Sequence, residues 1–165
     1  MNFFTKIAVI AVVEIAFTQA FMPSLSPFSN NLQSSSTSLY ARTPLIAGNW
    51  KLNPGTLENA VDLAKGVSDA AKKADGVDVC IIPPFPFLST CNDVVKTGAA
   101  DGAHISLGAQ DFYWEDKGAF TGAVCLDMVE SVGATYVLCG HSERRAIFKE
   151  DDYLINKKEI GRAHV

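Results

Sequence analysis

TYVLCGHSERR, residues 135–145, changes character at a single point. Thr135 to Cys139 is apolar throughout, the pattern of a strand buried on both faces. Gly140 then breaks the run, and His141-Ser142-Glu143 carries the chain into polar residues suited to the start of a helix. The same grammar recurs toward the N-terminus. Ile105 to Ala109 reads as a strand, followed by a polar, Gly-containing loop from Gln110 to Gly122 and a short helix from Leu126 to Val132. Val77 to Ile82 is a strand closed by Pro83-Pro84, with a helix from Phe85 to Lys96 turning Phe87, Leu88, Cys91, Val94 and Val95 inward. Pro44 to Gly48 is a further buried-strand candidate. Thr56 caps the helix after it, Leu57, Ala60, Val61, Ala64, Val67 and Ala71 recur at helical spacing, and Gly76 stops it. A last helix is clearest from Asp152 to Ile160.

The order is therefore β-α-β-α-β-α-β-α. Short, wholly apolar strands separated by helices require a parallel sheet covered by helices. An open doubly wound sheet and a (β/α)8 barrel both satisfy this, and both place function at the C-terminal ends of the strands.

Two strand ends carry chemistry. After Pro44–Gly48 come Asn49, Trp50 and Lys51. Asn49 and Lys51 are two apart on extended chain, so they point the same way. Lys51 is read either as a snorkelling surface lysine or as an ammonium awaiting an anion. After Cys139, His141 stands at the positive end of a helix, where a neutral ring is favoured and its N–H can polarise a carbonyl. The plainer reading makes His141 a cap or a satisfied surface residue. Likewise Ser142 reads as a cap and Glu143 as a partner for a nearby Arg or Lys.

Composition narrows the classes. With 14 Lys and Arg against 18 Asp and Glu, the net charge is −4 and the pI about 5.3. That argues against a nucleic-acid binder, which usually shows a basic face. Four cysteines are too few for a disulfide-stapled domain. The N-terminus is built differently. Lys6 and Glu14 are the only charged residues before Arg42. Residues 1–20 have a basic start, an apolar run from Ile7 to Phe17 and small residues at the end, the pattern of a signal peptide; a buried N-terminal helix is the alternative. The run is too short to span a bilayer. Residues 21–42 are Ser-rich and acid-free, like a transit peptide. Ala20-Phe21-Met22-Pro23 resembles the junction of the two-part plastid address of algae with complex plastids, so a plastid destination is expected, with secretion or mitochondria as alternatives.

GNWK (48–51), QDFYWEDKGAFTG (110–122) and GHSERR (140–145), in this order and spacing, resemble triosephosphate isomerase from about Pro44 to about Asn156. The resemblance implies a (β/α)8 barrel of which about the first four βα units are present, over residues 43–160. It implies interconversion of dihydroxyacetone phosphate and glyceraldehyde 3-phosphate through an enediol(ate), with no cofactor and no metal. His141 matches the neutral electrophile and Lys51 the electrostatic lysine. Asn49 matches the substrate-binding asparagine beside that lysine, and Ser142 and Glu143 match supporting residues. Thr121 matches a residue reaching a neighbouring subunit, with Arg144 at the same contact, so the resemblance implies a homodimer acting on triose phosphates. It implies no nucleic acid and no membrane for the mature form.

The sequence also departs from the family. Asp111 stands where Asn is common, and Ala123 where a Glu pairing with an Arg like Arg144 is common. The catalytic Glu base and the phosphate-gripping loops belong to later strands and are absent. Glu150, Asp151, Asp152 and Glu159 are not substitutes for the base. Residues 161–165 read as an atypical tail. Residues 41–165 are about half of the roughly 250 that a barrel takes. The expectation is an incomplete isomerase, inactive by itself; the alternatives are a non-catalytic half-barrel that binds a partner and an unrelated secreted α/β protein.

Overall fold

The computed structural model describes residues 8–11 and 43–162. Most of the expected signal peptide, the whole transit-like segment 21–42 and residues 163–165 lie outside the described residues. The sheet holds β1 (Ala8–Ala11), β2 (Leu45–Asn49), β3 (Asp78–Ile82), β4 (Ile105–Ala109) and β5 (Tyr136–Cys139). Their spatial order is β1-β5-β4-β3-β2, and every pairing is parallel. The helices are α1 (Leu57–Ala71), α2 (Leu88–Ala100, after a 3-10 turn at Phe85–Phe87), α3 (Leu126–Ser131), α4 (Ser142–Ala146) and α5 (Asp152–Arg162).

The strand order decides between the two architectures left open by sequence. A doubly wound sheet reverses direction at a switch point. Here β2, β3, β4 and β5 lie side by side in chain order. This is the single winding of a (β/α)8 barrel, of which four units are seen.

Alternation along the strands separates two apolar faces. Ile81, Leu107, Ala109, Val137 and Cys139 pack with Ala60, Ala64, Leu88, Cys91, Val95, Val129 and Ile155 from the helices. Cys80, Ile82 and Leu138, with Tyr136 against them, form a smaller cluster on the other face. Gly108 makes that cluster possible. A Cβ there would lie 3.0 Å from Ile82 Cγ1, 3.1 Å from Cys80 Sγ and 3.3 Å from Tyr136 Cβ. Gly108→Val therefore overpacks this face, and urea denaturation is expected to show a loss of about 1–3 kcal/mol. An unchanged midpoint would show that the face has slack.

Several boundaries differ from expectation. Thr56 does cap α1, its hydroxyl accepting from the Asn59 amide at 3.3 Å. But α1 ends at Ala71, ahead of Gly76, which makes a later turn at φ 67°. The α2 region continues past Lys96 to Ala100, and α5 runs on through Gly161 and Arg162, two residues read as an atypical tail. The apolar run Pro44–Gly48 suggested a buried strand, yet β2 is exposed over Leu45–Gly48, with Ile46 at 62%. Among the described residues no strand lies beyond it. All four cysteines are free and buried, and burial pushes the Cys80 and Cys91 thiols up to about 11. They are packing residues at neutral pH.

Candidate active site at the strand C-terminal ends

The ends of β2, β4 and β5 converge on Lys51. The backbone of Lys51 is left-handed, φ 55°, an uncommon conformation for a residue with a side chain. Two side chains hold it. Asn49 Oδ1 accepts from the Lys51 amide at 2.9 Å, and Gln110 Nε2 donates to the Lys51 carbonyl at 2.7 Å and to the Ile82 carbonyl at 3.2 Å. Gln110, the first residue after β4, thus ties three strand ends together. Sequence reading gave it no role, although a polar amide directly after an apolar strand was the available signal.

The Lys51 ammonium donates to Glu143 Oε1 at 2.7 Å. That hydrogen bond holds the Glu143 carboxyl below the usual carboxylate range. The pair is half exposed, so it is worth little to stability and is readily shared with an incoming anion. Both plain readings of these residues hold: Lys51 is solvent-facing, and Glu143 pairs with a lysine.

Gly140 carries the chain out of β5 at φ 70°. His141 then caps α4, its Nδ1 accepting from the Glu143 amide at 3.2 Å. A ring nitrogen that accepts has a lone pair, so a ring held this way carries its proton on Nε2. The capping and electrophile readings are therefore compatible, because they use different nitrogens. The His141 side chain is 12% exposed, and its Nδ1 lies 3.7 Å from Glu143 Oε2. Ser142 is the first residue of α4.

Arg144, expected at an intersubunit contact, is bound within its own chain. It reaches Asp111 Oδ2 at 2.8 Å and Glu150 Oε1 at 2.7 Å. Lys158 from α5 contacts both of the same acids, lying 2.8 Å from Glu150. Burial resists ionisation of Asp111 more than Lys158 favours it, which raises that carboxyl. Glu150 is also buried, but the hydrogen bonds from Arg144 and Lys158 prevail and hold it low. Asp111 therefore supplies an acid to Arg144 where Ala123 offers none. Thr121 and Ala123 are exposed on the loop between β4 and α3. Asp152 pairs with Arg145 at 2.6 Å, and Asp151 accepts from the Leu154 amide at 2.9 Å, so both acids serve α5.

A cleft of about 360 Å³ lies at the opposite end of the strands, lined by Asp78, His104, Ser106, Thr135 and Tyr136 among others. Its ionisable pair, Asp78 and His104, is 3.7 Å apart and well exposed. The converging amide, ammonium, carboxylate and imidazole are all at the C-terminal ends, where parallel α/β folds hold their sites. Among the described residues, no group of three or more His, Cys, Asp and Glu side chains is placed to hold a metal ion, and no helix is long and apolar enough to cross a membrane.

The chain is similar to known proteins over most of its length. The family model described as triosephosphate isomerase matches residues 44–161. The triosephosphate isomerase of Carboxydothermus hydrogenoformans is 45% identical over 117 residues, covering 71% of this chain and 44% of the relative. That of Roseiflexus sp. is 49% identical over 117 residues, with the same coverage. That of Caldanaerobacter subterraneus subsp. tengcongensis is 45% identical over 120 residues, or 73% of this chain and 46% of the relative. The chain thus spans just under half the length of the curated relatives it matches.

Proposed function

The chain belongs to the triosephosphate isomerase family, and from that membership we propose that residues 44–160 supply the electrophilic half of a triose-phosphate isomerase site. The observation that carries this is the Asn49–Lys51–Glu143–His141 cluster at the strand ends. Lys51 meets the anionic substrate and steadies the charge developing on the enediolate oxygens. The Nε2 proton of His141 is directed at the substrate carbonyl oxygen, which it polarises and to which it passes a proton. Asn49 has its Oδ1 engaged by the Lys51 amide, leaving its NH2 end as the substrate donor. Removing the carbon-bound proton needs a carboxylate base, and the Lys51 hydrogen bond holds Glu143 below the usual carboxylate range, which makes it a weak one. We place the base and the phosphate grip in barrel units beyond the matched span. A missing general base is typically worth about 10²–10⁴ in rate, so these units alone should turn over slowly if at all. The exposed loop bearing Thr121 fits a homodimer contact.

A chimera tests this reading. Residues 44–160 are joined to the remainder of the Carboxydothermus hydrogenoformans relative and assayed for conversion of glyceraldehyde 3-phosphate to dihydroxyacetone phosphate. The chimera should be a dimer by light scattering and should exceed the present chain by about 10² or more in rate. A soluble, folded chimera without activity would instead favour a half-barrel that binds a partner and catalyses nothing.

A further inference from the structure

The side chain of Gln110, which follows β4, crosses the end of β3 to reach the residues after β2. Its Nε2 donates to the Lys51 carbonyl at 2.7 Å and to the Ile82 carbonyl at 3.2 Å. Both partners are carbonyl oxygens, which only accept, so the amide nitrogen is the end that faces them. A primary amide has two N–H donors, and this one uses both. The Ile82 carbonyl also accepts from the Trp50 amide at 3.0 Å. The end of β3 is thus a common anchor for the residue before Lys51 and for the side chain that grips Lys51 itself.

A left-handed backbone at a residue with a side chain persists only where its surroundings over-determine it, and Lys51 has φ 55°. Its two main-chain polar groups are both taken: Asn49 Oδ1 accepts from its N–H, and Gln110 donates to its C=O. Holding both groups fixes the direction in which the side chain leaves the backbone. Gln110 is itself firmly mounted. The next residue, Asp111, reaches Arg144 at 2.8 Å, and Arg144 directly follows Glu143. That ion pair joins the segment bearing the clamp to the segment bearing the partner of the Lys51 ammonium, and the 2.7 Å contact from Lys51 Nζ to Glu143 Oε1 closes the circuit.

We propose that Gln110 is a positioning residue, which clamps the Lys51 carbonyl and thereby sets where the Lys51 ammonium stands over the strand ends. It acts through Lys51. Glutamine suits the task because it combines reach with two donors, whereas methionine matches its length and has none, and an ionised glutamate only accepts. The clamp itself concerns Lys51 and Glu143 alone. That the aimed ammonium serves catalysis rests on the isomerase reading above.

Carbon-13 NMR titration of the Glu143 carboxyl in the full chain reads the clamp without an activity assay. The Lys51 hydrogen bond holds this carboxyl below the usual range, and Lys51→Met marks the midpoint with that contact gone. Gln110→Met should move the midpoint upward most of the way to that mark. Gln110→Ala, which lets water reach the two carbonyls and so guards against misfolding, should do the same. Adding Gln110→Met to Lys51→Met should move it no further, since the clamp acts only through Lys51. A native midpoint in the folded Gln110 variants, or a further shift in the double variant, would overturn the proposal. In the active chimera Gln110→Met should lower kcat/KM by up to about 10²-fold, the scale of a 1 Å misplacement, with no added loss once Lys51 is replaced. An active chimera indifferent to Gln110→Met would overturn the catalytic part. A chimera inactive from the start fails the isomerase reading instead and leaves the titration to decide the clamp.

Discussion

Glu150→Ala is expected to destabilise the folded chain by about 3–5 kcal/mol, the cost of leaving a buried charge without its partner. The Lys158 side chain is 3% exposed and faces Asp111 and Glu150. Arg144 shares the same two acids. Two acids therefore balance two bases, and removing Glu150 leaves one carboxylate for two cations. Among the described residues Glu150 Oε2 is buried without a hydrogen bond, so Glu150 serves both cations through Oε1. Glu150→Leu combined with Lys158→Met should recover most of the loss, because no buried charge is then unpaired. A domain is typically stable by only about 5–15 kcal/mol, so the single variant should show a large fall in urea midpoint. A loss below about 1 kcal/mol would mean that water reaches Lys158 and screens it.

The pH dependence has opposite contributions from the two acids. Glu150 has a folded pKa below its unfolded value. Its contribution is present above the unfolded value near 4.5 and is lost as pH falls through the folded one. Asp111 has a folded pKa raised above 3.8. Its ionisation costs stability at neutral pH, and that cost is relieved as pH falls through its raised value.

The strands were legible because each is a short apolar run bounded by Gly, Pro or a polar switch. Ile105–Ala109 was read to the residue, and Thr135–Cys139 to within one. Helix ends were less legible. Gly76 looked like the stop for α1, but the helix had already ended at Ala71. Exposure of β2 was illegible for a different reason. An apolar run implies a covered strand, and cover depends on neighbours that local sequence does not specify. Asn49, Lys51, His141 and Glu143 were each ambiguous alone and were brought together only by the strand order. Lys158 was missed because a lysine in a polar helix looks solvent-facing. Its spacing of three from the buried Ile155 was the available signal, since residues three apart share a helix face. β1 was missed because an apolar run can enter a membrane channel or join an open sheet edge, and composition does not distinguish the two.

In the active chimera, His141→Gln is expected to lower kcat by about 10²–10⁴ with a much smaller change in KM, as for loss of an acid–base group. The split between the two constants is what matters. Lys51 binds an anion before and during reaction, so its removal should affect capture as well as rate. His141 contributes mainly where negative charge grows on the carbonyl oxygen, an interaction strongest in the transition state. Its position is fixed from behind by the Glu143 amide on Nδ1, which leaves Nε2 as the acting atom. Glutamine keeps a donor of similar reach but cannot exchange a proton with the oxygen, so the variant should bind substrate and stall. Circular dichroism should be unchanged, because the cap of a five-residue helix contributes only about 1 kcal/mol. A variant that raised KM and spared kcat would assign His141 to substrate binding alone, and proton transfer at oxygen would then need another group.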